Sequence, residues 1–248
     1  MLFGQILEML RENKLMPYYA AERRIDLFIN FFLADILSTY YREEVDFVVS
    51  EFPLKHKANS QADKLDYLCA FQRTKQPIFV ELKTDVMSFR ASQAKNYFRR
   101  AASWSNCVDE LKQIIGNRRM RFDYRLKYYQ LLMRLQKCSV IRLDSLRSDS
   151  IVEQINNLDR NHLSMSEKGK ASRLIIELSG LVSSRWKGEA RLLYIVPRDE
   201  NLRSQIRATC QGKVDVLDFS QMAHRDYVSR MTHTQEFGQL VHFLNTPD

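Results

Sequence analysis

Residues 62–98 read ADKLDYLCAFQRTKQPIFVELKTDVMSFRASQAKNYF, and the expectation for the fold starts there. Two apolar runs, 65–71 and 78–83, flank the polar turn Gln72-Arg73-Thr74-Lys75-Gln76-Pro77. So close a connection predicts an antiparallel hairpin. Each run carries charge where a buried strand avoids it: Asp66 in the first, Glu81 and Lys83 in the second. Residues two apart on a strand share a face, so Glu81 and Lys83 lie on one side of the sheet. A buried carboxylate is costly unless it is paired or metal-bound. An acid on the neighbouring strand beside a Glu and a Lys is the donor set of a divalent-cation site. Asp63 and Asp66 are three apart, so only one of them faces Glu81, and Asp66 is preferred. Glu12-Asn13-Lys14 has the same spelling in a helical setting, so the strand context carries the weight rather than the tripeptide.

Working outward, residues 2–12 are amphipathic with helical spacing and end before Pro17. A longer helix is predicted over 20–41, where Ile25, Phe28, Ile29, Phe32, Leu33, Ile36 and Leu37 recur at helical spacing. Glu22 and Asp26 stand one turn apart at its start, where acids usually compensate the helix dipole. Residues 45–53, VDFVVSEFP, read as a strand and 54–61 as a loop. Downstream the pattern turns helical from Ser88, and Gln93 and Tyr97, four apart, share one helix face. Helical spacing persists for most of the next hundred residues, marked by Tyr128, Leu131, Leu132 and Leu135 and again over 174–182. Residues 192–196 are a strand closed by Pro197, 199–210 a helix, 214–219 a strand and 235–244 a final helix. The order predicts an α/β protein with a small mixed sheet.

Composition fits that plan. Of 248 residues, 45% are hydrophobic and 27% charged, with a net charge of +8 that points to an anionic partner, nucleic acid first and an acidic membrane surface second. The charge is concentrated. Between residues 88 and 148 there are fourteen basic residues, among them Arg99 and Arg100, against four acidic ones. Tyr97, Phe98, Trp104, Phe122, Tyr124, Tyr128 and Tyr129 are interleaved with them. Cations neutralise phosphates and aromatic rings stack on bases, so as a block the segment is expected to face DNA. Residue by residue, a solvated helix face over an aromatic core is the plainer reading. Cys69, Cys107, Cys138 and Cys210 form no CxxC pair and give no spacing for an iron–sulfur cluster, which fits free thiols in a reducing compartment. The five histidines make no zinc spacing, and neither a nucleophile elbow nor a phosphate-binding glycine loop is present. With no cleavable leader and no apolar run of membrane length, the expected location is cytoplasmic, away from membranes.

These residues resemble the PD-(D/E)XK nuclease superfamily, most nearly its RecB-type and Holliday-junction-resolvase-like branches. The family pattern is an acid on one strand, acid-x-Lys on the next, and in RecB-type members a helix with Gln-x-x-x-Tyr. Here those positions are Asp66, Glu81-Leu82-Lys83 and Gln93 to Tyr97; Leu65 stands where the first motif often has proline. Several members also carry a glutamate on the preceding helix, a position matched by Glu22, with Asp26 as its rival. The resemblance covers residues 20–100, with 192–196 as a fourth core strand. It implies a restriction-endonuclease-like αβββαβ core in a single domain, with the core at about 18–104 and 190–220 and a helical insertion at about 105–189. It further implies Mg²⁺ or Mn²⁺ held by Glu22, Asp66, Glu81 and the Leu82 carbonyl, with Asp66, Glu81 and Lys83 catalytic. Gln93, Tyr97, Arg99 and Arg100 would support the site or meet the substrate backbone. The expected activity is metal-dependent hydrolysis of DNA phosphodiester bonds, in repair, recombination or defence. The alternatives are a non-catalytic nucleic-acid-binding or assembly protein on the same fold and, third, a membrane or protein-interaction module. A homodimer or a partner protein stays open.

Overall fold

A computed structural model describes residues 21–55, 62–143, 146–158, 163–231 and 233–245. Helix α1 (Ala21–Tyr41) opens it, with Ile29, Phe32, Leu33, Ile36 and Leu37 buried along one stripe. Strand β1 (Val45–Lys55) follows and pairs antiparallel with β2 (Ala62–Phe71), which pairs antiparallel with β3 (Pro77–Leu82). After a 3₁₀ turn (Val86–Ser88) come α2 (Ala91–Ala101), α3 (Trp104–Ile115), α4 (Phe122–Lys137), β4 (Ile141–Leu143), α5 (Leu146–Asn156), α6 (Met165–Gly180) and β5 (Val182–Ser184). The chain then returns as β6 (Arg191–Val196), parallel to β3, and passes through α7 (Glu200–Thr209) to β7 (Asp215–Asp218), parallel to β6. Helices α8 (Phe219–Met222), α9 (Arg225–Val228) and α10 (Thr234–Asn245) close it. The main sheet has the order β1-β2-β3-β6-β7. A parallel neighbour needs a long crossover, and the segment from α2 to β5 supplies it between β3 and β6.

The sheet separates two apolar layers. On one face lie α2 to α7, packed through Ala94, Tyr97, Trp104, Leu111, Leu132, Ile175 and Leu202. On the other lie α1, α8 and α10, packed through Ile29, Leu33, Phe219, Phe237 and Leu240. Strand β3 is buried along its whole length. Its Ile78, Val80 and Leu82 face α1, whereas Phe79 faces the opposite layer. By strand alternation Glu81 shares the side of Phe79, so a carboxylate enters the larger core.

The hairpin and the mixed sheet follow the sequence expectation, while the 105–189 segment departs from it. It contains a second, two-stranded sheet, β4 with β5, where Leu143 stands opposite Val182 and Ile141 opposite Ser184. The apolar spacing over 174–182 runs through two elements, because α6 stops at Gly180 and Val182 belongs to the strand. Left-handed Ser139 (φ 56) likewise turns the chain out of α4 toward β4. β1 also runs two residues past the predicted 45–53, and β2 starts three residues before 65. The amphipathic stretch 2–12 and most of the predicted loop lie outside the described residues. Among those described, no helix is long and apolar enough to cross a membrane.

Candidate active site

The β2–β3 ladder ends at the pair Tyr67 and Val80. One step further stand Asp66 and Glu81, on the sheet face that carries α2. There a side chain takes over from the backbone: Asp66 Oδ2 accepts the Leu82 amide N–H at 2.8 Å. On its other side β3 stays joined to β6, with the Lys83 N–H donating to the Ile195 carbonyl at 2.8 Å. Lys83, 6% exposed, turns back so that Nζ donates to Glu81 Oε1 at 2.8 Å.

Glu81 is 1% exposed, and its second oxygen, Oε2, is buried with no hydrogen-bond donor facing it. Burial first, and then the charge of Asp66, push its carboxyl up to about 8, against the pull of Lys83. Burial also raises Asp66, opposed first by the Leu82 amide, then by the Lys83 charge and a hydrogen bond with Glu81. Two carboxyl groups that meet in a dry site satisfy each other only through a shared proton or a cation. A hard divalent ion fits the two groups available. Magnesium commonly takes one or two carboxylates, keeps several waters and completes its shell with phosphate oxygens.

The remaining expected residues fall into two groups. Gln93 and Tyr97 share a face of α2, and Gln93 Nε2 donates to the Tyr97 hydroxyl at 2.7 Å. Tyr97 is fully buried, and its hydroxyl donates to the Lys64 carbonyl on β2 at 2.5 Å, two residues before Asp66. It therefore ties α2 to β2 beside the acids. Arg100, expected among the substrate-facing cations, is buried and paired with Glu110 on α3. Arg99 is exposed and bonded to Asn96 at 2.7 Å. Leu82 meets Asp66 through its N–H. Glu22 and Asp26 lie in the first turns of α1, whose packed part covers the opposite sheet face, and their side chains, like that of Asp63, lie outside the described ones. Among the described residues no three His, Cys, Asp or Glu side chains are grouped to hold a metal.

Two neighbours of the site were not expected. Glu51 on β1 is in the left-handed region (φ 53) and lies between Ser50 and Phe52, which pair with Tyr67 and Leu65, the residues flanking Asp66. Its carboxylate is exposed, bonded to Lys64 at 2.8 Å, and its charge helps to raise Asp66. Tyr194 on β6 stands opposite Glu81 in the parallel register and is buried; burial and then the Glu81 charge raise its phenol. No local sequence pattern marks Tyr194, but the break of alternation in Ser50-Glu51-Phe52-Pro53 is a signal for Glu51.

The basic block sorts likewise. Arg125 is buried and bonds the carbonyls of Ile115 (3.4 Å) and Asn117 (2.6 Å), tying α4 to the end of α3. Arg90, Lys95, Arg118, Arg119, Arg121, Lys127, Arg134 and Lys137 are exposed. Of the aromatics, Tyr97, Trp104 and Tyr129 are core residues, and Tyr124, under Lys127, is exposed. The four cysteines are free.

Comparison with protein-family models, with curated proteins and with solved structures returned no match.

Proposed function

We propose that this chain is a metal-dependent nuclease of the PD-(D/E)XK kind, hydrolysing phosphodiester bonds of DNA on a restriction-endonuclease-like core. The observation that carries the reading is Glu81: a buried carboxylate with one oxygen held by Lys83 and the other without a hydrogen-bond partner, standing with a second acid, Asp66, one step beyond the β2–β3 ladder. The order of three antiparallel strands, a crossover and a parallel strand supports it, as does the exposed basic surface of α2 and α4. Asp66 and Glu81 would hold Mg²⁺ or Mn²⁺, which supplies Lewis-acid polarisation of a phosphate and a more acidic bound water. Glu81 must release its proton for this, so cation affinity rises with pH. Among the described residues, Lys83 is the cation paired inside the site. Freed from Glu81 Oε1, its ammonium orients a water or offsets the charge that grows on the phosphate oxygens. Gln93 and Tyr97 keep β2 and α2 in register around the acids.

Cleavage of duplex and single-stranded DNA with Mg²⁺ or Mn²⁺ tests the reading. Asp66→Ala, Glu81→Ala and Lys83→Ala are expected to lower the rate by about a thousandfold while leaving a folded protein. A Glu81→Ala protein that cuts at the wild-type rate refutes it. One observation favours a second reading, a non-catalytic nucleic-acid-binding protein on this fold: the described residues bring only two acids together. Salt-dependent DNA binding without cleavage under any divalent metal decides for it.

A further inference from the structure

We infer that Met87, with Val86 beside it, is an apolar wedge that enters the base stack of the nucleic acid next to the carboxylate pair. The inference rests on the nuclease reading and names how the substrate is gripped. Met87 is 91% exposed and Val86 43%, side by side on the 3₁₀ turn after Lys83. Of the other large exposed apolar side chains, Phe31 contacts the rings of Phe32 and His233 and Tyr124 lies under Lys127, while Met165, 84% exposed at the start of α6, has no apolar neighbour on a braced turn beside the acids as Met87 has. The turn is braced at both ends. Asp85 caps it, taking the Ser88 N–H at 2.7 Å, while the Ser88 hydroxyl donates to the Asp85 carbonyl at 2.9 Å. Phe89 seats its ring edge-on against Tyr194, centroids 6.3 Å apart, and Tyr194 is the register partner of Glu81. Two exposed apolar side chains are thus held on a short braced turn whose foot is the site itself.

Charge narrows the choice of occupant. From 84 to 102 the chain has four basic residues and Asp85 as its single acid, and Arg90, Lys95 and Arg99 are exposed. That setting draws a phosphate backbone and would also suit anionic lipid; the carboxylate pair at the foot of the turn favours nucleic acid, and binding to anionic vesicles without binding to DNA would overturn the wedge. Four residues span at most about 14 Å, so Met87 works within roughly four base steps of a phosphate held at Lys83. Methionine is among the side chains that enter and unstack base steps, being apolar and flexible. The wedge holds the strand in place while Asp66, Glu81 and Lys83 act on its backbone.

The test uses the full chain with Ca²⁺ in place of Mg²⁺ and DNA duplexes, blunt and with overhangs, carrying 2-aminopurine at successive positions. Binding is read by anisotropy, unstacking by 2-aminopurine fluorescence and cleavage separately with Mg²⁺. Wild type is expected to bind and to brighten the probe at one or two adjacent positions. Met87→Ala is expected to bind without the brightening and to cleave about tenfold more slowly, since a displaced strand is cut poorly. Its melting temperature should stay within about 2 °C of wild type, as for an exposed side chain. Binding without brightening at any position, or equal brightening by Met87→Ala, overturns the wedge and leaves the nuclease reading standing if Mg²⁺ still drives cleavage. Absence of both binding and cleavage overturns the two together.

Discussion

Two acids are buried near the ends of strands on either side of β6, Glu81 on β3 and Asp218 on β7, and they are treated in opposite ways. Asp218, 2% exposed, is saturated. Oδ2 takes Arg203 Nη1 at 3.0 Å, while Oδ1 takes the Gln221 N–H at 2.9 Å and the Ser220 hydroxyl. The Gln221 side chain answers by accepting the Asp218 N–H, so the acid closes a capping box on α8. Glu81 has one donor, Lys83, and an oxygen left over. Burial of charge alone therefore does not single out a working residue. A structural acid is surrounded until no acceptor remains; an acid kept for a ligand is left short of a partner.

That contrast breaks if the two acids respond alike to removal. Asp218→Ala removes one of the two carboxylates that hold Arg203, leaving Glu200 at 2.8 Å, and uncaps α8, so urea unfolding should show a loss of about 2–3 kcal/mol. Glu81→Gln removes a group that folding disfavours in its charged form, and at pH 8 it should cost less than about 1 kcal/mol. Equal losses at the two positions would mean that Glu81, too, is there for stability.

The pH profile sharpens the same point. Folding raises Glu81 from the usual carboxylate range to about 8, so between those limits the folded protein holds a proton that the unfolded chain has released. The stability this contributes is complete below the unfolded value and is lost as pH rises through about 8. The metal-free protein is expected to lose about 2–4 kcal/mol from pH 5 to pH 8, most of it absent in Glu81→Gln. Mg²⁺ takes the place of the proton and should flatten the slope. Urea midpoints at both pH values check this; identical slopes in wild type and variant would detach the shift from Glu81.

Much of the site was legible because strand periodicity and a short turn are local signals. Glu81 and Lys83 are placed on one face by spacing alone, and Gln93 and Tyr97 by one turn of helix, whereas spacing left Asp63 beside Asp66 as the acid on the neighbouring strand. What was not legible depends on contacts distant in sequence. Nothing around Arg100 tells that Glu110 waits on α3, so it reads as a surface cation until the helices pack. Tyr97 is aimed at the right element, yet only the fold reveals that its hydroxyl meets the Lys64 carbonyl. The β4–β5 pair was missed because three-residue strands are too short for a period of two to stand out from helical spacing. For Glu51 the sequence carries only the break of alternation at Ser50-Glu51-Phe52-Pro53; the left-handed backbone angle itself is not encoded by residue type.

Glu51 offers the finest comparison, with Lys75. Both are non-glycine residues in the left-handed region, φ 53 and φ 61, the first beside Asp66 and the second in the β2–β3 turn. A side chain there costs about 1–2 kcal/mol relative to glycine, against which glycine's greater freedom in the unfolded chain takes back part. Glu51→Gly and Lys75→Gly should therefore each stabilise by about 0.5–1 kcal/mol; each also loses an ion pair, Glu51 with Lys64 at 2.8 Å and Lys75 with Asp46 at 3.9 Å, which is worth little at the surface. They part at the site. Glu51→Gly removes a negative charge that helps to raise Asp66, so the pH at which a divalent cation begins to bind should fall, while Lys75→Gly leaves it unchanged. Isothermal titration with Mn²⁺ across pH 5–8 distinguishes the two. If both variants match wild type there, the strain at Glu51 belongs to the bend of β1 alone and not to the acids beside it.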